Sequence, residues 1–293
     1  MHFSCGINRP PFERDSIFLQ VTSGCSHACC SYCGFFKGSE FRKSPIDEIS
    51  DDIKELASKN IGGERIFLQG ADSFAADYDT LMLTAELIHR YLPNIKSIGG
   101  YAHINNFAEK TIDQIKNMVA MGYANPYLGV ESGDDFILKR INKGYNAALA
   151  RATLLKLTEA GMPIIVHYLN GIAPKDYGLD HAIKTCNMFD GINIDLIAVS
   201  SLTIMEETPI ARQIEVGNFG VMPEKDRLNE MICFLQNLRN STNLFAHRST
   251  PFQCYVKLPD EKEYLINKIK FILDNKSEAD LCEWRKHVRL ITK

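Results

Sequence analysis

Apolar and polar residues alternate along the first two thirds of the chain in a pattern that predicts strands and helices in turn. Short β-branched runs of strand length are each followed by a longer stretch with apolar residues at helical spacing. The predicted strands are 17–21, 65–69, 95–101, 126–130, 164–169 and 192–199. The first predicted helix begins at Ile46 and ends before Gly62-Gly63. The other predicted helices are 80–91, 108–121, 135–141, 147–160 and 177–189. This alternation, without a hairpin signal, indicates parallel strands joined by right-handed crossovers.

The start of the first predicted helix has a recognisable local signal. Ser44 precedes Pro45, and a carboxylate follows at Asp47. Serine is a favoured N-cap and proline is favoured at the first helical position. We therefore expect the Ser44 side chain to cap this helix.

Each predicted strand carries polar residues at its carboxyl end. In order they are Thr22 and Ser23, Gln69 to Asp72, Tyr101 and His103, Glu131 and Ser132, His167 and Asn170, and Ser200 and Ser201. An α/β barrel builds its active site on that face from several strands, whereas a doubly wound sheet concentrates it near one switch point. The predicted fold is therefore α/β, a partial barrel of about six strands.

Beyond residue 200 the alternation stops. Residues 223–238 and 259–273 have helical spacing, and the polar segment 241–255 lies between them. We expect a barrel domain over 1–205, with a cysteine-rich loop at 24–38. A C-terminal helical extension over 206–293 would close the barrel and shape the substrate site.

Composition places the chain among ordinary globular proteins. It has 293 residues, of which 45% are hydrophobic, and 33 basic against 36 acidic residues give a formal charge of −3. This balance makes nucleic-acid binding by bulk electrostatics unlikely, so we expect no such partner. Without an export signal or an apolar run of roughly 18 residues, the expected location is the cytoplasm, away from the membrane.

The cysteines are unusual in their distribution. Four of the nine fall within nine residues, at Cys25, Cys29, Cys30 and Cys33. Structural zinc favours two separated pairs, and a redox CxxC at Cys30 and Cys33 would leave Cys25 unused. Cys25, Cys30 and Cys33 form Cx4CxxC, while Cys25, Cys29 and Cys33 form Cx3Cx3C. Either set could give three thiolates to a four-iron cluster and leave one iron open.

Three segments together resemble one known family. The first is Thr22-Ser23-Gly24-Cys25-Ser26-His27-Ala28-Cys29-Cys30-Ser31-Tyr32-Cys33-Gly34-Phe35-Phe36, which resembles the cluster loop of the radical SAM superfamily in its Cx4CxxC variant. The second, Phe67 to Asp72, lies where that family has its strand-two motif. The third, Leu128 to Gly144, resembles the strand-four segment of the branch with oxygen-independent coproporphyrinogen oxidase-like and methylthiotransferase-like proteins. The resemblance covers residues 15 to 205, approximately.

The resemblance implies a partial (β/α)6 barrel that binds a [4Fe-4S] iron–sulfur cluster and S-adenosylmethionine (SAM). Such an oxidoreductase would cleave SAM to a 5′-deoxyadenosyl radical, which would abstract hydrogen from an unidentified substrate. Its electron donor would be a protein such as flavodoxin or ferredoxin. The rival hypothesis is a non-catalytic iron–sulfur or zinc-binding protein in electron transfer or structure.

The resemblance also implies roles for individual residues. The cluster ligands would be Cys25, Cys30 and Cys33, with no assigned role for Cys29. The cofactor contacts would be Tyr32 (main chain to adenine), Gly70 and Ala71 (carbonyls to the SAM amine), Asp72, Glu131 and Ser132 (ribose or methionine end), Lys143 (SAM carboxylate) and His167 (nucleoside). Three alternatives stay open: Glu131 as a helix cap, Lys143 as a helix-end lysine and His167 as a core histidine.

Overall fold

The computed structural model describes residues 1–291, within which ten β-strands and eleven α-helices form. The chain folds as two compact units that interleave in sequence. Unit 1 contains residues 1–28, 35–129 and 152–164, and unit 2 contains residues 29–34, 130–151 and the described residues from 165 onward. The cysteine-rich loop is divided between them, with Cys25 in unit 1 and Cys29, Cys30 and Cys33 in unit 2.

All six predicted strands are present, with their ends displaced by a few residues. The strands are β1 (Ile17–Gln20), β2 (Thr22–Ser23), β3 (Arg42–Lys43), β4 (Arg65–Gln69), β5 (Ser97–Ala102), β6 (Tyr127–Glu131), β7 (Ile165–Asn170), β8 (Leu196–Ser201), β9 (Thr242–Ala246) and β10 (Cys254–Leu258). The helices are α1 (Ile46–Ser58), α2 (Tyr78–Tyr91), α3 (Ile104–Ala108), α4 (Ile112–Ala120), α5 (Asp135–Arg140), α6 (Ala147–Glu159), α7 (Gly178–Phe189), α8 (Pro209–Glu215), α9 (Glu224–Asn237), α10 (Lys262–Asn275) and α11 (Glu278–Ile291). Strands and helices therefore alternate along the chain from β4 to β8, as predicted.

Unit 1 is built on a parallel sheet. β1 pairs with β4, β4 with β5, and β5 with the start of β6, all in parallel. The centre of β4 (Ile66, Phe67 and Leu68) is fully buried, as expected for a parallel strand with both faces covered. β2 and β3 pair antiparallel, with Thr22 opposite Lys43. They bring the two ends of the cysteine-rich loop together.

The predicted cap of α1 is wrong in detail. The helix begins at Ile46, its N-cap position is Pro45, and no side chain caps it. The Ser44 hydroxyl instead accepts a hydrogen bond from the buried Gln20 side chain at 3.2 Å. The buried Gln20 amide at the end of β1 needs a hydrogen-bond partner and takes this hydroxyl. The fixed φ angle of Pro45 then supports the start of the helix without a side-chain cap.

Unit 2 contains three parallel strands and one antiparallel strand. β7 pairs with β8 and β8 with β9 in parallel, and β10 folds back antiparallel on β9. The C-terminal extension contains the two predicted helices, as α9 and α10, together with α8 and α11, which were not predicted, and it also contributes two strands to the sheet. The extension is tied to the strand ends by buried polar groups. The Arg227 guanidinium donates to the Leu202 carbonyl at 2.7 Å, and the Asn170 amide donates to the Arg227 carbonyl at 3.0 Å. The domain boundary at 205/206 stays a prediction.

Three neighbouring strands of unit 2 place side chains in one row on the same face of the sheet. His167 pairs with Ala198, and Ala198 pairs with Phe245, so these side chains lie in one row on the same face. His167 and Phe245 are only partly buried although their strand neighbours are buried.

No helix within residues 1–291 has the length and apolar character that a membrane span requires.

Candidate functional site

A buried carboxylate at the end of β6 is the centre of the candidate site in unit 2. Glu131 is 5% exposed and has a left-handed backbone, with φ of +67°. Non-glycine residues adopt this conformation rarely, and such strain concentrates at functional sites. The Lys143 ammonium donates to Glu131 Oε1 at 3.1 Å, and His167 Nδ1 lies 2.5 Å from Oε2. Tyr32 is close enough to this carboxylate for the Glu131 charge to raise the pKa of its phenol. We call Glu131, Lys143 and His167 the carboxylate hub.

The charges in this hub stabilise each other. Burial raises the pKa of Glu131, but the charges of Lys143 and His167 outweigh burial and hold it well below its usual range. Burial lowers the pKa of Lys143, but the Glu131 carboxylate outweighs that effect and raises it. Burial and the Glu131 charge both raise the pKa of Tyr32. Glu131 and Lys143 are therefore an ion pair at neutral pH, and Tyr32 keeps its proton.

The structure thus brings together residues that the resemblance assigns to the same cofactor. Lys143 lies beyond the last turn of α5, but its side chain is only 6% exposed and points at Glu131. A solvent-facing helix-end lysine does not fit this burial. Ser132 is fully buried, and its hydroxyl accepts the Asp134 backbone N–H at 3.0 Å. The predicted SAM contacts of these residues stay predictions.

In unit 1, Asp72 organises the end of β4. It is 1% exposed, and its carboxylate accepts hydrogen bonds from the Ser26 hydroxyl, the His103 backbone N–H at 3.1 Å and the Asn106 amide at 3.3 Å. His103 also stacks on His27, with ring centroids 4.9 Å apart. Asp72 therefore holds the first half of the cysteine-rich loop. Sequence reasoning missed Ser26 and Asn106 because their partner is distant in the chain.

Gly70 and Ala71 form the close approach between β4 and the start of the loop. The Ala71 backbone N–H donates to the Gly24 carbonyl at 3.0 Å. Gly70 has φ of +108°, and a Cβ placed on it would lie 2.1 Å from Thr22 Oγ1 and 2.6 Å from the Thr22 carbonyl oxygen. Only glycine fits here, because both the conformation and the space exclude a side chain.

Replacing Gly70 with alanine should therefore destabilise the protein by more than about 3 kcal/mol, since strain and overpacking add. Gly38 is the matched control, because its φ is +80° but nothing lies within 4 Å of a Cβ there. Gly38→Ala should cost only about 1 kcal/mol, the conformational part alone. Urea denaturation of the two variants measures the difference, and equal losses would contradict the steric account.

The second half of the loop is held by backbone and side-chain bonds within unit 2. Ser31 N–H donates to the Ile141 carbonyl at 2.9 Å, and the Asn142 amide donates to the Cys29 carbonyl at 3.0 Å. Ile210 N–H donates to the Ser31 carbonyl at 2.9 Å, and Gly34 N–H contacts the Met205 sulfur at 3.2 Å. The C-terminal turn of α5 and the start of α8 therefore fix this half of the loop.

The cysteines differ in exposure. Cys25, Cys30 and Cys33 are partly buried, whereas Cys29 is exposed. In unit 1 the Ala28 N–H donates to Cys25 Sγ at 3.4 Å, and N–H bonds of this kind stabilise cluster thiolates. Within the described residues, no three His, Cys, Asp or Glu side chains gather as ligands of one metal ion would. Three soft thiol donors on one loop fit the chemistry of an iron–sulfur cluster.

Sequence reasoning also missed His247, which follows β9. Its side chain lies on the same side of the strand as Phe245, two residues earlier, and hence on the face of His167. Burial, Arg248 and His167 lower the pKa of His247 to about 4. Ser249 N–H donates to its Nδ1 at 3.2 Å, so the neutral ring carries its proton on Nε2. The short apolar run Leu244-Phe245-Ala246, followed directly by His247, is the sequence signal that could have found it, because the predicted strands carry polar residues at their carboxyl ends.

Comparison with known proteins gives one family. A family model described as the radical SAM superfamily matches residues 19–181. The tRNA-2-methylthio-N(6)-dimethylallyladenosine synthase of Leptothrix cholodnii is 26% identical over 202 residues, which cover 64% of this chain and 41% of that enzyme. The synthase of the same name from Chlorobium luteolum is 22% identical over 244 residues, covering 81% and 53%. The chain spans about half the length of these relatives.

Solved structures similar to the chain share its fold. The coproporphyrinogen III oxidase HemN from Escherichia coli has a TM-score of 0.58 at 16% identity, covering 75% of this chain and 52% of that one. The cobalamin-dependent enzyme OxsB, with aqua-cobalamin and SAM bound, has a TM-score of 0.59 at 15% identity, covering 75% and 41%. The prediction of an α/β partial barrel is confirmed.

Proposed function

Because the chain belongs to the radical SAM superfamily, we propose that Cys25, Cys30 and Cys33 hold its cluster and that the carboxylate hub holds SAM beside it. Family membership makes the chain an enzyme whose cofactors are a [4Fe-4S] cluster and SAM, so both of those predictions are confirmed. When bound, the reduced cluster supplies the electron that splits SAM into methionine and a 5′-deoxyadenosyl radical.

The observation that carries this proposal is the contact between the loop and the hub. Ser31 lies next to Cys30, and its N–H donates to the Ile141 carbonyl at 2.9 Å, two residues before Lys143. Lys143 and His167 both pair with Glu131. The half of the loop that bears Cys30 and Cys33 is therefore fixed to the segment that supplies Lys143 to the hub.

The chain's own residues would bind and orient SAM. The Lys143 ammonium is the group for the methionine carboxylate, since a buried cation gives a strong charge-assisted hydrogen bond. Glu131 would take donors of the ribose or the amine, and Gly70 and Ala71 would offer carbonyls to the amine. The burial of the hub excludes water, which strengthens each of these interactions.

The substrate stays open. The matched synthases act on tRNA, but the chain spans about half their length and carries a formal charge of −3. We propose a substrate bound at the face that bears His167, Phe245 and His247. The electron would come from a donor such as flavodoxin or ferredoxin, and we expect the reaction to take place in the cytoplasm.

Anaerobic reconstitution tests the proposal. The protein should bind about four irons, and SAM should change the EPR signal of the reduced cluster. With dithionite and SAM it should form 5′-deoxyadenosine, and omission of dithionite is the control. Two irons, or one zinc ion with no effect of SAM, would instead support a non-catalytic metal protein. No structural observation favours that alternative.

A further inference from the structure

A buried arginine of the last helix reaches the loop that follows β9. Arg285 lies in α11 and is 8% exposed. Its Nε and Nη2 donate to the two carboxylate oxygens of Glu224, at 2.9 and 2.7 Å. Its Nη1 donates to the Ser249 carbonyl at 2.7 Å. Because a two-pronged pair with a carboxylate fixes the plane of the guanidinium, the third donor meets the loop from one set direction.

Ser249 is held from two further sides. It is 5% exposed, and its hydroxyl oxygen accepts the backbone N–H of Ser201, the last residue of β8, at 3.1 Å. Its own N–H donates to His247 Nδ1 at 3.2 Å. The N–H, the hydroxyl and the carbonyl of Ser249 are therefore all engaged, and only the bond to the carbonyl comes from a charged side chain.

The bond from Ser249 determines the tautomer of the His247 ring. A backbone N–H can only donate, so Nδ1 accepts and carries no proton. The ring is then neutral, with its proton on Nε2. The hydrogen bonds of the ring within residues 1–291 are all made by Nδ1, so the loop does not use the Nε2–H.

The His247 ring belongs to the face on which the substrate is proposed to bind. Its centroid lies 6.4 Å from that of Phe245, with the two rings at 71°. Its side chain is partly exposed, whereas Ser249 behind it is buried. The polar atoms that orient the ring therefore lie on its buried side, and the N–H on the opposite side of the ring can serve a ligand.

We propose that Arg285 is a positioning residue of this face: through Ser249 it holds His247 in the tautomer that offers Nε2–H to an acceptor oxygen of the substrate. This inference rests on the proposed function and assigns a donor within its substrate site. A donor whose direction is set before binding costs less ordering entropy than one that must be oriented by the ligand.

The test compares Arg285→Met with Glu278→Ala. Glu278 is the matched control because it also ties α11 to α9, where its carboxylate accepts the backbone N–H groups of Glu224 and Lys225 at 2.7 and 3.0 Å. It is not bonded to the loop after β9. Because Arg285→Met leaves the buried Glu224 carboxylate without this partner, the double variant Glu224→Gln/Arg285→Met is made as well.

The measurement is the tautomer ratio of the His247 ring. Each protein is labelled with ¹⁵N and reconstituted anaerobically, and the shifts of the two ring nitrogens are recorded with the cluster oxidised. The signals that disappear in His247→Gln identify the ring. The SAM-induced change in the EPR signal of the reduced wild-type cluster is recorded in parallel.

The wild type and Glu278→Ala should show the Nε2–H tautomer alone. In Arg285→Met and in the double variant, the ratio of Nε2–H to Nδ1–H should fall about fivefold, the equivalent of one net hydrogen bond. An unchanged ratio in both, an equal fall in Glu278→Ala, or a mixed tautomer in the wild type would overturn the inference alone. Failure of both Arg285 variants to fold while Glu278→Ala folds would also overturn it, since the arginine would then only support the fold. A wild-type cluster that does not respond to SAM would overturn the proposed function, and the substrate role of His247 with it.

Discussion

Alanine at Cys25, Cys30 or Cys33 should abolish cluster binding and lower SAM cleavage at least about a thousandfold. Each of these thiols is partly buried. Losing one of the three would leave one iron of the cluster without its thiolate. Iron content and the yield of 5′-deoxyadenosine measure the effect.

Cys29→Ala is the matched control for this series. Cys29 is exposed, and its carbonyl, which any residue would supply, accepts the bond from Asn142. The variant should therefore keep the cluster and cleave SAM within about twofold of the wild type. A Cys29→Ala protein without a cluster, together with a Cys30→Ala protein that retains one, would show that the Cx3Cx3C set binds the iron.

Breaking the Glu131–Lys143 pair should have the second large effect. Lys143→Met leaves a buried carboxylate without its ammonium, which should destabilise the protein by about 3–5 kcal/mol. Glu131→Gln leaves the buried ammonium instead and should cost a similar amount. The double variant should regain much of the loss because no unpaired charge remains. Urea denaturation of four iron-free proteins, the wild type and the three variants, completes the cycle.

The same variants test the assignment to SAM. Glu131→Gln and Lys143→Met should retain the cluster but bind SAM at least about tenfold more weakly, because each removes one charged partner. Wild-type affinity and normal cleavage in both would show that the ion pair only supports the fold. The double variant separates these outcomes, since it should recover stability without recovering SAM affinity.

The Glu131–Lys143 ion pair also determines the pH ranges in which the free energy of unfolding changes. The folded pKa of Glu131 is lowered, so its contribution is present above the unfolded value of about 4.3 and is lost as pH falls below it. The folded pKa of Lys143 is raised, so its contribution is present below about 10.4 and is lost as pH rises beyond it. Between these limits the pair gives a constant contribution. In urea denaturation below this acid limit, the free energy of unfolding should therefore fall less steeply with pH for the double variant than for the wild type.

The sequence predicted the hub better than it predicted the hub's partners. Glu131 and Lys143 could be placed on one rim because the first ends a strand and the second follows the next helix. The electrostatic effect of Glu131 on Tyr32 could not be predicted, since a residue 99 positions earlier in the chain comes near Glu131 only through tertiary folding. The hydrogen bond between Ser26 and Asp72 could not be predicted for the same reason.

The extension was the part least accessible to sequence reasoning. Its helices have clear apolar spacing, but β9 is short and flanked by polar residues, so a strand signal of five residues was easily missed. Periodicity identifies long elements more reliably than short ones. The strand exists because β8 offers an edge for pairing, which is a property of the sheet and not of residues 242–246 themselves.

The parallel pairing of β9 with β8 bears on how this enzyme could change its specificity. Thr242, Leu244 and Ala246 are buried, while Asn243 and Phe245 alternate with them and are partly exposed. Mutations at the second set can alter the surface offered to a ligand while the first set keeps the strand in register. With a substrate on the proposed face, single substitutions along this one strand would change substrate preference without exchange of the C-terminal segment and without loss of the sheet.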